Sequence, residues 1–235
     1  MNTETPNLEI RIHKLDGSVS SFAQDDFDAS KQILDGFNPM DVFSRPRVEL
    51  GDRNTHTVIP VSQITRIDLD INEDSRLVFP SDLVEAVELM PEEFETLVRN
   101  LKLQDQWKHL GELDAFVVTF LNAEMADGRG VLLTMEVDSE SPQGLCELRD
   151  FLLSRSSLCF RASGGGIGLL NLANLSCLTI FPGAHPLPSD AWHARRFDER
   201  WLATPEDDSI TDVASGPRPA PESSGAPRVL RIKRL

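Results

Sequence analysis

Disulfide chemistry is the first thing this sequence has too little of. Three cysteines, Cys146, Cys159 and Cys177, are an odd number with no Cys-x-x-Cys spacing, so no disulfide framework is expected. All three lie in apolar patterns, which predicts buried thiols acting as small hydrophobes; a reactive thiol is the competing reading. Positive charge is also scarce. Lys and Arg number 23 against 38 Asp and Glu, for a formal charge of −15 and a pI near 4.7. A surface that grips nucleic acid needs clustered Lys and Arg to neutralise phosphates, so nucleic-acid binding is not expected beyond a local basic patch.

Long hydrophobic runs are missing as well. The longest apolar stretch, Ile167 to Phe181, is interrupted by Asn171, Asn174 and Ser176 and is too short to span a bilayer. The opening "MNTETPNLEI" has no charged segment followed by an apolar one, so no secretory signal and a cytoplasmic location are expected. No serine sits in a Gly-x-Ser-x-Gly elbow and no histidine in a His-Glu-x-x-His pair. No metal or cofactor is therefore expected. Hydrophobic content of 40% is enough for a sizeable core, so the body should be globular.

What the chain does have is a pattern that occurs twice. Residues 59–69 read "IPVSQITRIDL" and residues 170–180 read "LNLANLSCLTI". A shift of 111 residues carries Ile59, Val61, Ile64, Ile67 and Leu69 onto Leu170, Leu172, Leu175, Leu178 and Ile180. The same shift carries Asp16-Gly17 onto Asp127-Gly128, and each pair separates two alternating apolar runs. Asp-Gly signals a hairpin, because glycine takes positive φ freely and aspartate tolerates it. An α+β fold follows, with two similar lobes of antiparallel sheet plus helix. The expected parts are a first repeat over 1–78, a bridging strand and helix over 79–112, and a second repeat over 113–202.

Each half predicts the same elements. In the first, "LEIRIHKL" alternates with period two and pairs with "SVSSFAQ". "DDFDASKQILDGF" reads as a helix capped by Asp25 or Asp26, with Phe27, Ile33, Leu34 and Phe37 facing the core and Asn38-Pro39 ending it. A hairpin turning at "GDRN", a turn at Ser62-Gln63 and a short strand through Arg66 to Asp70 complete the unit. The bridge holds a strand in "DLVEAVEL" and a helix from Pro91 towards Gly111, with Phe94, Leu97, Val98 and Leu101 as its apolar stripe. Ile64, Ile67, Leu175 and Leu178 are expected to be buried. The run Gly164 to Gly166 is read as a turn, since no Lys-Ser or Lys-Thr follows to make a phosphate cradle.

Residues 189–202, "SDAWHARRFDERWL", put Trp192, Arg196, Phe197 and Trp201 on a charged helix. Phe197 and Trp201 share a face, which either packs back on the second lobe or docks a partner. Nearby His185, His193, Asp190, Asp198 and Glu199 could hold a metal or move protons, but their spacing fits no ligand rule and a solvated, capped helix accounts for them. Residues 203–227 are dominated by Pro, Ser, Gly, Asp and Glu and are expected to be a disordered linker. The final "RVLRIKRL", residues 228–235, alternates Leu230 and Ile232 with Arg231 and Lys233 and predicts a short strand that adds to a sheet edge.

The leading expectation is a non-enzymatic interaction or regulatory protein. Its partner-binding residues would be Trp192, Arg196, Phe197, Trp201, Leu230, Arg231, Ile232 and Lys233, engaging a protein partner or a second copy. The alternative is a hydrolase whose site lies between the lobes, in which His56, His185 or His193 converges with carboxylates.

Overall fold

A computed structural model of the chain describes residues 5–52, 54–72, 77–79, 84–100, 116–138, 144–181, 183 and 231–232. The fold is mixed α+β, dominated by one large sheet. Strands β1 (Leu8–Lys14) and β2 (Val19–Gln24) close on the Asp16-Gly17 turn, where Gly17 has φ 78° and its N–H donates to the Lys14 carbonyl at 2.9 Å. Strands β7 (Phe116–Met125) and β8 (Gly130–Asp138) close on Asp127-Gly128 in the same way, with Gly128 at φ 82°. In each turn the aspartate carboxylate accepts from the N–H two residues on, Ser18 at 2.9 Å and Arg129 at 3.0 Å. A side chain with a Cβ would be strained at either glycine.

Helix α1 (Phe27–Asp35) starts at Asp26, whose carboxylate caps the Ala29 N–H at 2.8 Å. The short α2 (Pro39–Val42) follows, capped by Asn38. Next come the hairpin of β3 (Arg47–Gly51) and β4 (His56–Pro60), a 3-10 turn at Val61–Gln63, and β5 (Ile64–Ile71). β6 (Ala86–Glu88) and α3 (Pro91–Asn100) form the described part of the bridge, with Glu92 and Glu93 at the positive end of the helix. After the β7–β8 hairpin come α4 (Gly144–Leu153), β9 (Ser157–Arg161), β10 (Ile167–Asn171), a second 3-10 turn at Leu172–Asn174, β11 (Leu175–Phe181) and β12 (Arg231–Ile232).

Ten strands share one sheet in the order β11-β7-β8-β6-β9-β10-β5-β1-β2, with β12 pairing β8 beside that path; β3 and β4 form a separate two-stranded sheet. Its pairs are antiparallel except β6 with β9. The ladder between β5 and β10 joins the two segments expected as lobes, matching Ile67 to Leu169 and Leu69 to Ile167. Two asparagines fasten this seam. Asn171 Nδ2 donates to the Val61 and Ile64 carbonyls at 3.1 and 2.8 Å, and Asn174 Nδ2 to those of Ser62 and Ile64 at 3.2 and 2.8 Å.

Strand alternation sorts the core. Leu8, Ile12, Ile64, Ile67, Leu69, Ile167 and Leu169 pack with Leu34 and Ile59 in a cluster that spans the seam. Leu121, Leu133, Met135, Val137, Leu148 and Phe160 form the second cluster. The opposite face of β7 is closed by α3, where Phe94 meets Phe120 and Phe181 edge-on at 5.9 and 6.2 Å between centroids.

Several expectations need correction. Phe27 and Ile33 do not face the core but are exposed, because α1 turns Ser30 and Leu34 inward instead. Leu97 of α3 is likewise exposed, while Phe94 and Val98 are buried. Ile64 and Ile67 are buried, whereas Leu175 and Leu178 are only partly so. The reason is position: among the described residues β11 pairs with β7 alone, while β5 lies between β1 and β10. The linker at 203–227, the aromatic segment at 189–202 and the helix beyond Asn100 lie outside the described residues.

Candidate functional site

The polar sides of β1 and β5 line up into a belt of charge. Alternation sends Ile67 and Leu69 inward, so Arg66, Asp68 and Asp70 occupy the other face beside Arg11 and His13 of β1. His13 Nε2 meets Asp68 Oδ2 at 2.8 Å, and Arg66 Nε donates to Asp68 Oδ1 at 2.6 Å. The same guanidinium reaches across to β6 and grips Glu88 with both terminal nitrogens, at 2.6 and 3.2 Å. Glu88 also accepts from the Ser163 N–H at 3.1 Å. Arg11 pairs with Asp70 at the outer end.

The guanidinium of Arg66 lies over the Phe160 ring, 4.9 Å from its centroid. That ring fits because the neighbouring residue on β10 is Gly168. A Cβ there would come within 2.1 Å of Phe160 Cζ. At the other end, Arg129 in the second Asp-Gly turn donates to His13 Nδ1 and, at 2.6 Å, to the Gly17 carbonyl of the first. Thr65 Oγ1 joins the same place by donating to Asp127 Oδ2 at 3.1 Å. Since arginine can only donate, Nδ1 of His13 is the acceptor and Nε2 carries the hydrogen that goes to Asp68.

Burial works against the charged form of Asp68, yet the hydrogen bond from His13 and the Arg66 guanidinium together hold its carboxyl below the usual aspartate value of 3.8. Arg66 shows the mirror effect: burial opposes its charge, but Glu88 and Asp68 raise it. For Asp70 burial prevails over Arg11 and the carboxyl is pushed up. Both nitrogens of His13 and both carboxylates around Arg66 are engaged within the belt. Such an arrangement fixes strands to one another and leaves His13 no lone pair for proton abstraction.

A second buried pair, Glu85 with Arg155, sits by Cys159. Arg155 stacks on Phe151 at 4.8 Å, and its Nε is buried without a hydrogen bond. Burial, and then the Glu85 charge, push the Cys159 thiol up to about 12. The reactive-thiol reading therefore fails at Cys159, because the thiolate is the nucleophile.

Of the residues expected to bind a partner, Arg231 and Ile232 are described, as β12 opposite Asp138 and Val137 of β8. Trp192, Arg196, Phe197, Trp201, Leu230 and Lys233 lie outside the described residues, as do His185 and His193. His56 meets one carboxylate, Glu49 at 3.1 Å, on the exposed β3–β4 hairpin. Among the described residues no group of three or more His, Cys, Asp or Glu is disposed to hold a metal ion, and no helix is long and apolar enough to cross a membrane.

In the sequence the belt is marked by the alternation of charges in β1 and β5 alone, because Glu88 and Arg129 reach it only through strand pairing across the chain. No protein-family model, curated protein or solved structure matched the chain.

Proposed function

We propose that this chain is a non-enzymatic cytoplasmic interaction protein, built from two copies of one α+β unit, whose C-terminal segment Arg228–Leu235 is a strand-forming ligand for a protein partner. The observation that carries this reading is the ladder between β12 and β8, in which Arg231 and Ile232 adopt the extended pairing that strand addition requires. The sequence of the segment suits the role, with aliphatic and basic residues alternating at its end.

The duplicated unit is supported by register. Under the shift of 111, the pairs Ile12↔Ile67, Arg11↔Asp68 and Lys14↔Ile64 of β1 and β5 correspond to Ala123↔Leu178, Asn122↔Thr179 and Met125↔Leu175 of β7 and β11. The irregularity between His13 and Lys14 on one ladder corresponds to that between Leu175 and Cys177 on the other. The 3-10 turns Val61–Gln63 and Leu172–Asn174 correspond in the same way. Matched bulges favour common descent, because a register must be inherited whole or every side chain changes face.

Affinity capture from lysate with the full chain and with its Ile232→Pro variant tests the functional reading. Proline removes a ladder donor and should abolish capture of a partner held by the segment. Equal capture by both proteins would refute the reading.

A further inference from the structure

We propose that His13 and Arg129 form a pH-sensitive latch between the two Asp-Gly turns, closed while the His13 ring is neutral and opened when it takes a second proton. The latch is made by one guanidinium. Arg129 donates through one terminal nitrogen to His13 Nδ1 and through the other, at 2.6 Å, to the Gly17 carbonyl. These partners lie 116 and 112 residues away in the chain, so one side chain pins the turn of β7 and β8 onto the turn of β1 and β2.

The bond to His13 needs a lone pair on Nδ1, and only the neutral ring has one. A proton on Nδ1 sets N–H against N–H and cation against cation, so the ring and the guanidinium must part. Histidine is the side chain whose ordinary titration falls between about pH 5 and pH 8, which makes the contact responsive in a range where the carboxylates and guanidinium groups of most proteins keep their charge. Exposure decides which side of the ring yields. Asp68, 2.8 Å from Nε2, is 5% exposed, and an imidazolium there forms an ion pair shielded from water. Arg129 is 44% exposed at the side chain, so water readily replaces the acceptors it leaves.

The other charges around the ring are engaged elsewhere. On β5, Arg66 holds Asp68 and reaches Glu88 of β6, and Asp70 pairs with Arg11 of β1. Glu9 shares the face of β1 that carries Arg11 and His13, whereas Lys14 points to the opposite face. β2 carries no charged residue, and Asp16 accepts from Ser18 within its own turn. Asp127 lies 3.8 Å from Arg129 Nε and accepts from Thr65 Oγ1 at 3.1 Å. That bond from Thr65 does not involve His13 and survives protonation. Opening therefore leaves the hairpins side by side and frees the Arg129 guanidinium into solvent at the rim of the belt.

Nuclear magnetic resonance of the full chain between about pH 8 and about pH 5 tests the latch. At the alkaline end the ring nitrogens of His13 should report the Nε2–H tautomer, with Overhauser contacts from the Arg129 side chain to His13 and Gly17. As the ring is protonated those contacts should be lost, and the amide signals of Gly17 and Arg129 should move with the same midpoint as the ring. His13→Gln is a mimic that does not titrate, because its amide can accept from Arg129 and donate to Asp68. In that variant the contacts from Arg129 to Gly17 should persist across the whole range. Burial pushes the Asp70 carboxyl up, and any response due to Asp70 would remain in His13→Gln and is thereby told apart. Arg129→Ala should leave the His13 ring titrating while the Gly17 amide no longer follows it. Three results would each overturn the proposal: no contacts from Arg129 to His13 at the alkaline end, contacts that outlast protonation of the ring, or a ring still neutral at about pH 5. Loss of the contacts to the same extent in His13→Gln as in the parent would overturn it too.

Discussion

Arg66 is the residue on which most of the charged belt depends. It is 17% exposed at the side chain, and it neutralises Glu88 and Asp68 at 16% and 5%. Replacing it with alanine leaves two poorly solvated carboxylates facing each other, so Arg66→Ala should cost about 3–5 kcal/mol in urea unfolding. The two aspartates of β5 should respond to pH with opposite sign. Asp68 has a folded pKa held below 3.8, so its contribution is present above that value and is lost as pH falls through the folded pKa. Asp70 has a folded pKa raised above 3.8, so its contribution is present below that value and is lost as pH rises through the folded pKa. Asp68→Asn should therefore lower stability at neutral pH and flatten the acid limb of a stability profile. Asp70→Asn should leave neutral stability equal or higher, because its partly exposed pair with Arg11 contributes little. Urea melts between pH 7 and pH 3 would show both, and identical profiles for the two variants would contradict the assignment.

At the scale of the element, what could be read from the sequence was whatever is settled within a few residues. Both Asp-Gly hairpins, a cap at Asp25 or Asp26, the proline start of α3 and the turn at Ser62-Gln63 follow from local backbone chemistry. The inward face of α1 did not, because a helix of nine residues offers Phe27, Ile33 and Leu34 as competing stripes and only tertiary packing chooses among them. The belt escaped for a related reason. Arg66 is 22 residues from Glu88 and Arg129 is 116 from His13, and no periodicity links such positions. The difference between β5 and β11 also belongs here, since equal apolar patterns have unequal burial when one strand lies inside the sheet and the other pairs on one side. Ile64→Ala should cost about 2–5 kcal/mol, as full burial plus a cavity demands, and Leu175→Ala visibly less. Thermal melts of the two variants against the parent decide it; equal losses would mean that β11 is covered as fully as β5.

For the molecule as a whole, the sheet joins the two segments expected as repeats through the β5–β10 ladder, and the terminal strand extends the same sheet along β8. A net charge of −15 with basic residues concentrated at the chain end makes the tail and the body complementary before any contact forms. Cross-strand nuclear Overhauser contacts in the full chain test the β12–β8 pairing most directly. The account predicts backbone contacts from residues 231–232 to residues 137–138 in antiparallel register, all lost in Ile232→Pro. Random-coil shifts and no such contacts for Arg231 and Ile232 in the unaltered protein would contradict it.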